Sequence, residues 1–208
     1  MDIINQQIEA YLESLDPPRD PVFLKMEAMA EEREFPAVGP QVGLLLYILA
    51  AAIGARRILE LGSGFGYSGL WFAKALPADG ELILSDFESG NKFLAESFFA
   101  EAGVALRMSF QVGDALKILA RQEGEFDIIF NDIDKEAYPG TIDSVYQKLR
   151  SGGLFITDNT LWYGKVAEDN PDEPTRAVLG FNDGLKNHPG FLSLQLPLRD
   201  GIAVAMKV

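Results

Sequence analysis

The stretch Arg57-Ile58-Leu59-Glu60-Leu61-Gly62-Ser63-Gly64-Phe65-Gly66-Tyr67-Ser68 is an apolar run that breaks into alternating glycines and resumes as an apolar, helix-like segment. It predicts strand, tight turn, helix. Glycines let the backbone turn sharply and approach a ligand, while the N–H groups opening the helix suit a carboxylate or phosphate. The alternative is a tight turn with no ligand. A dinucleotide fingerprint requires G-x-G-x-x-G/A, whereas Tyr67 occupies its last position and the extra glycine comes one residue early, at Gly66. The spacing is wrong for NAD.

Outward from this turn, strand and helix patterns alternate. Strands are expected at 58–61, 81–86, 106–112, 126–132 and 154–158, with helices at 66–76, 91–102, 114–121, 141–149 and 175–186. Such alternation implies a parallel sheet covered on both faces. The ending differs: strands at 191–198 and 201–208 are separated by only Arg199-Asp200, which permits an antiparallel hairpin. The fold class is therefore α/β, a doubly wound, mostly parallel seven-stranded, Rossmann-like sheet with a C-terminal antiparallel hairpin. Upstream, Ile3, Ile4, Ile8, Tyr11, Leu12 and Leu15 recur at helical spacing until Asp16-Pro17-Pro18, which predicts a short amphipathic helix for packing or dimer contact. A second helix, at 22–34, carries Met26 and Met29 as core filling. A rigid link at 35–40 precedes a nearly all-apolar helix at 42–53, expected to be buried against the sheet. One domain spanning 1–208 is expected, with N-terminal helices at 1–53 and the core at 57–208.

Composition narrows the function. Lys plus Arg number 18 against 31 Asp plus Glu, and the net charge of −13 disfavours a polyanionic partner. No cysteine is present, so disulfides and thiolate metal sites are excluded. No apolar run approaches the roughly 20 residues of a membrane span, and the first residues do not resemble a signal peptide. A cytoplasmic protein acting on small molecules is expected.

In an open α/β sheet, ligands lie across the C-terminal ends of the strands, so the residues where strands stop carry the information. Asp86 follows Gly62 by about 24 residues, near the spacing at which an acid reaches ribose hydroxyls. A solvent-facing turn acid is its alternative. Phe87 would lie beside the base, or simply be a buried loop residue. Asp132, Asp158 and Asn159 end two neighbouring strands and gather hard oxygen donors. The only histidine, His188, is remote, so the set suits Mg, Mn or Ca in preference to zinc. The alternative is that these residues merely cap strands and turns. Trp162 and Tyr163 would form an aromatic edge to a substrate pocket, and Arg199 and Asp200 either line it or merely make the turn. Trp71 is expected in the core.

Three stretches make the pattern specific. Phe126-Asp127-Ile128-Ile129-Phe130-Asn131-Asp132-Ile133-Asp134-Lys135, Gly152-Gly153-Leu154-Phe155-Ile156-Thr157-Asp158-Asn159-Thr160-Leu161-Trp162 and Leu196-Pro197-Leu198-Arg199-Asp200-Gly201-Ile202 occur in that order. Together with Glu-x-Gly-x-Gly at 60–64, they resemble the cation-dependent O-methyltransferases of the caffeoyl-CoA and catechol type, which use S-adenosylmethionine (SAM). The resemblance runs from about Phe35 to the C-terminus. It implies a class I SAM methyltransferase fold and a homodimer. It makes Asp132, Asp158 and Asn159 metal ligands, Lys135 the candidate general base, and Asp132 a contact to cofactor as well as metal. It puts the amino-acid end of SAM at Val38, Glu60, Gly62, Ser63 and Ser68, the ribose on Asp86, and the adenine near Asp114 and Ala115. Asn131 departs from the family's usual apolar residue, and Glu136 and Tyr163 differ from its common choices. The implied reaction is methyl transfer to a hydroxyl of a small catechol-like or vicinally oxygenated acceptor. Two alternatives are a tRNA hydroxyuridine O-methyltransferase, disfavoured by the acidic balance, and a non-catalytic SAM-binding protein, disfavoured by retention of the four polar residues.

Overall fold

In the computed structural model, which describes residues 3–208, Arg57–Leu61 forms β1 near the middle of a seven-stranded sheet. Glu81–Asp86 (β2) and Arg107–Val112 (β3) extend the sheet on one side. Phe126–Asn131 (β4) and Leu149–Thr157 (β5) extend it on the other, and all five strands run parallel. Phe191–Leu196 (β6) and Ile202–Lys207 (β7) complete the order β3-β2-β1-β4-β5-β7-β6. Chain order reverses direction between β1 and β4. That switch point leaves a crevice at their C-terminal ends, where α/β sheets take ligands.

The hairpin pairs antiparallel as expected, with two differences. Its loop covers 197–201, because Leu198 O accepts from Gly201 N (2.9 Å) and Arg199 turns through a left-handed φ of 51°. The antiparallel strand is β7, which is inserted between β5 and the edge strand β6. β5 also begins earlier than the expected 154. Gly152 and Gly153 lie inside it, and a Cβ at Gly153 would sit 2.9 Å from Arg150 O and 3.1 Å from Asp127 O. Close backbone approach explains Gly153, and a left-handed φ of 72° explains Gly152.

Gln6–Ser14 (α1), Pro21–Glu32 (α2) and Gly39–Ala52 (α3) precede the sheet. Asp20 caps α2 by accepting from Val22 N (3.1 Å), with Pro21 opening the helix. Met26 is fully buried in the core and Met29 packs against it. α3 departs from expectation. Val42, Gly43, Leu46 and Ala50 are buried, but Tyr47 and Ile48 face solvent, because α3 packs through one face against Tyr67–Ala75 (α4). Gly43 makes that contact possible: a Cβ there would lie 2.1 Å from the Trp71 indole nitrogen. Trp71 itself is core, stacked on Phe23 at 4.2 Å.

Ser89–Glu101 (α5), Ala115–Arg121 (α6), Thr141–Lys148 (α7) and Glu173–Asn187 (α8) are the remaining α-helices. One core layer joins Val22, Leu46, Ile58, Phe72 and Phe130, and the opposite layer joins Leu59, Ile129, Tyr138, Phe155 and Phe181. The sheet is thus covered on both faces. Two short 3-10 helices, Lys135–Gly140 and Trp162–Ala167, were not expected. The first contains Pro139, the second Gly164, and neither carries a 3.6-residue apolar repeat. Among the described residues no helix is long and apolar enough to cross a membrane.

Candidate active site

The glycine turn between β1 and α4 is built around one close approach. Gly62, at φ +82°, presses against the end of β4, and a Cβ on it would lie 2.2 Å from Asp132 O. Asp132 N in turn donates to Leu61 O (2.8 Å). Gly62 N and Ser63 N both donate to Ser85 O, and Ser63 Oγ accepts from Ser85 N (2.9 Å), so three strand ends are fastened together. Gly66 opens α4 from a left-handed φ of 87°.

Glu60 is completely buried at the end of β1. Ser68 Oγ donates to Glu60 Oε1, while Oε2 is buried without a donor from the protein. Burial pushes the Glu60 carboxyl well above its usual range, against the opposing Ser68 hydrogen bond. An orphaned buried acceptor suits a ligand that brings N–H donors, as an amino-acid ammonium does.

A cleft of about 510 Å³ runs from this turn along the strand ends. Val38, Gly62, Ser63, Ser68, Asp86, Phe87, Ala115, Asp132, Lys135, Asn159, Trp162 and Tyr163 all line it. Asp86 ends β2, where Oδ2 accepts from Gly64 N (3.0 Å) and Oδ1 from Glu88 N (2.8 Å) and Asn91 Nδ2 (3.0 Å). The carboxylate therefore shapes the turn as well as facing the cleft. Phe87 is exposed, not buried in a loop, and offers a free aromatic face. Asp114 is absent from the lining. It caps α6, accepting from Lys117 N (2.9 Å), while its neighbours Gly113 and Ala115 face the cleft.

The second constellation also assembles. Asp132 follows β4 and Asp158 follows β5, with Asp158 N donating to Asn131 O (3.0 Å). Burial pushes both carboxyls up. The charges of Asp132 and Asp200 push Asp158 further, well above its usual range, whereas Lys135 restrains Asp132. Asn159 adopts a left-handed φ of 56° and donates from Nδ2 to both oxygens of Asp200, at 3.0 and 2.9 Å. A carboxylate can only accept, so the amide nitrogen must face Asp200, which leaves Asn159 Oδ1 without a donor from the protein. Among the described residues no trio of Asp, Glu, His or Cys side chains forms a metal cluster. The available donor set is two carboxylates and one amide oxygen, all hard, with mutual repulsion that a divalent cation would relieve.

Lys135 is mostly buried and pairs with Asp132, not Glu136. Its Nζ donates to Asp132 Oδ1 (3.2 Å), Ile133 O (3.1 Å) and Tyr138 Oη (2.9 Å), and Tyr138 Oη donates onward to Asp158 O (3.0 Å). All three ammonium donors are engaged. Tyr138 escaped sequence reading because a tyrosine in a charged loop gives no periodic signal, yet it is fully buried.

A second cleft of about 460 Å³ opens on Asp158, Asn159 and Asp200 and is walled by Ile3, Ile4, Glu9, Pro36, Ala37, Tyr163 and Arg199. Arg199 and Asp200 therefore both line a pocket, and each has a structural partner too: Arg199 Nη1 donates to Ala37 O (2.6 Å), and Asp200 holds Asn159. Of the walls not named individually from sequence, Ile3, Ile4 and Glu9 lie upstream of the stretch that resembles the family, and Phe35-Pro36 lie at its start.

Residues 23–208 match a protein family described as O-methyltransferase. Caffeoyl-CoA O-methyltransferase 1 of Eucalyptus globulus is 34% identical over 212 residues, covering 92% of this chain and 84% of that protein. A catechol O-methyltransferase of Niastella koreensis is 32% identical, covering 86% and 87%. Among solved structures, the O-methyltransferase TomG from Streptomyces achromogenes in complex with SAM superposes with a TM-score of 0.86 at 33% identity, covering 97% of this chain and 96% of that one. A Bacillus cereus O-methyltransferase in complex with SAH gives 0.85 at 26% identity, covering 97% of each.

Proposed function

We propose, for a chain that belongs to the O-methyltransferase family, that its SAM-dependent reaction requires a divalent cation and methylates a hydroxyl of a small acceptor bearing two vicinal oxygens. SAM-dependent methyl transfer is the activity of the family; the cation and the acceptor are the proposed parts. The observation that carries the proposal is the convergence of half-buried Asp132 and buried Asp158 with an Asn159 whose oxygen Asp200 leaves unused.

When bound, the sulfonium supplies an activated methyl, and a divalent cation, for which Mg²⁺, Mn²⁺ or Ca²⁺ would serve, supplies acidification and alignment of the attacking hydroxyl. The chain's own residues do the rest. Glu60 does not itself line the cleft and holds Ser68 from behind, so Val38, Gly62, Ser63 and Ser68 would close around the cofactor's amino-acid end. Asp86 takes the ribose, while Phe87 and Ala115 flank the base. Asp132, Asp158 and Asn159 hold the cation, and Asp132 also borders the cofactor cleft. Lys135, whose Nζ is held beside the chelating groups by Ile133 O and Tyr138 Oη, is the group placed to take up the acceptor's proton. Trp162 and Tyr163, with ring centroids 5.3 Å apart, form the aromatic wall against which the acceptor ring packs.

A hydroxyuridine in tRNA gains no support, because Lys135 and Arg199 are the only basic side chains among the described residues lining the two clefts, and Lys135 pairs with Asp132. Exposed Ile8, Tyr11 and Leu15 on α1 support a homodimer, which a monomeric mass in light scattering would refute.

The test is SAM-dependent methylation of a catechol panel, with EDTA and with added Mg²⁺ or Mn²⁺, for the wild type and Asp158→Ala. Turnover that needs the ion and is lost in the variant is the expected result. Turnover indifferent to metal overturns the role given to Asp132, Asp158 and Asn159.

A further inference from the structure

The second cleft opens directly on the proposed chelating groups, so its outer walls meet whatever substituent the acceptor carries away from its two oxygens. Ile3, Ile4, Pro36 and Ala37 are apolar and fit a ring. The charged groups on its walls are unequal. Arg199 gives one of its donors to Ala37 O and is held beside Gly39, where a Cβ would meet its Nη1 at 2.7 Å. Glu9, in the first turn of α1, is exposed, and among the described residues no ion pair or side-chain hydrogen bond engages it. Its carboxylate also complements the helix dipole, a purely structural role that would be blind to the acceptor's charge.

Resting on the reading above, we propose that Glu9 selects the acceptor by charge, so that the site prefers diols with a cationic distal substituent, such as an amine, and disfavours carboxylate-bearing or phosphate-bearing ones, acyl-CoA thioesters included. Among the described residues lining the second cleft, Arg199 is the one basic side chain, set against the carboxyl groups of Glu9, Asp158 and Asp200, so the balance of charge there is acidic. An exposed ammonium–carboxylate pair contributes up to about a fivefold change in affinity. Attraction of an amine and repulsion of an anion act on opposite sides of the neutral case, so the two extremes should differ by up to about twenty-fivefold.

The experiment compares dopamine, 4-methylcatechol, homoprotocatechuate and caffeoyl-CoA with the wild type, Glu9→Gln and Glu9→Lys. It measures kcat/KM, and by calorimetry Kd in the presence of SAH and Mg²⁺. The expected order is amine above neutral above anion. Glu9→Gln lowers the amine-to-neutral ratio by about threefold to fivefold, and Glu9→Lys inverts the order, with the change in KM rather than kcat. Turnover of all the diols within twofold of one another, insensitive to Glu9→Lys, overturns the charge selection while leaving the methylation reading intact. The same order in Kd with no methyl transfer to any diol supports the role of Glu9 and overturns the proposed reaction instead.

Discussion

Replacing Gly62 with alanine tests the joint on which the site is built. Two costs can be read from the structure. A non-glycine residue held at φ +82° costs about 1–2 kcal/mol. The added Cβ would stand 2.2 Å from Asp132 O and 2.7 Å from Asp132 C, which are backbone atoms that no rotamer change can move aside. Relieving such an overlap by shifting the chain costs about 1–3 kcal/mol. The expected loss is therefore about 2–5 kcal/mol, a large part of the roughly 5–15 kcal/mol that holds a domain folded. The shift also moves Asp132 away from Asp158, so SAH affinity and the response to metal should both fall. Urea unfolding and calorimetric SAH titration measure the two effects. Gly90→Ala is the control: it lies in α5 with open space at its Cβ, and should be neutral or slightly stabilising. If Gly62→Ala stays within about 1 kcal/mol of the wild type and binds SAH as tightly, the close-approach argument is wrong.

Asp200→Ala removes the acceptor that turns the Asn159 amide, and should weaken Mn²⁺ binding by about tenfold to a hundredfold; an unchanged titration would show that Asn159 needs no such support. Tyr138→Phe strands a Lys135 donor and removes the hydroxyl bound to Asp158 O, for an expected loss of about 1–3 kcal/mol in chemical unfolding, and wild-type stability would contradict it. Asp127 offers a pH test. Burial alone would raise its carboxyl, but hydrogen bonds from Arg150 Nε (2.5 Å), Arg56 N and Arg57 N (both 2.8 Å) outweigh it and hold it below the usual carboxylate range. With the folded value depressed, its stabilisation is present above the unfolded value and lost as pH falls through the folded one. Asp127→Asn should therefore destabilise the protein at pH 7 and converge on the wild type in acid; a constant gap in urea midpoint would refute this.

The parallel sheet was legible in the sequence because its strands are short apolar runs separated by helical periods, and both signals are local. The glycine turn, Asp86, and the Asp132 and Asp158-Asn159 pair were legible for a related reason: each ends a strand, and sheet topology carries strand ends to one crevice whatever the separation in sequence. Other features depended on atoms that meet only after folding. No local pattern distinguishes Gly153 inside a strand from a turn glycine, since the distinction lies partly in the carbonyls of Phe126 and Asp127 on the neighbouring strand. The burial of Tyr138 and its link between Lys135 and Asp158 O arise from a 3-10 turn packed beneath the site, not from any repeat. Asp200 looked like a turn residue; only the fold brings it to Asn159 and decides which way that amide points. By itself the sequence determined the sheet, the crevice and the chemical types gathered there. Tertiary structure decided the partners of each polar atom and the walls of the second cleft, because hydrogen bonds and close contacts between distant segments have no counterpart in local sequence pattern.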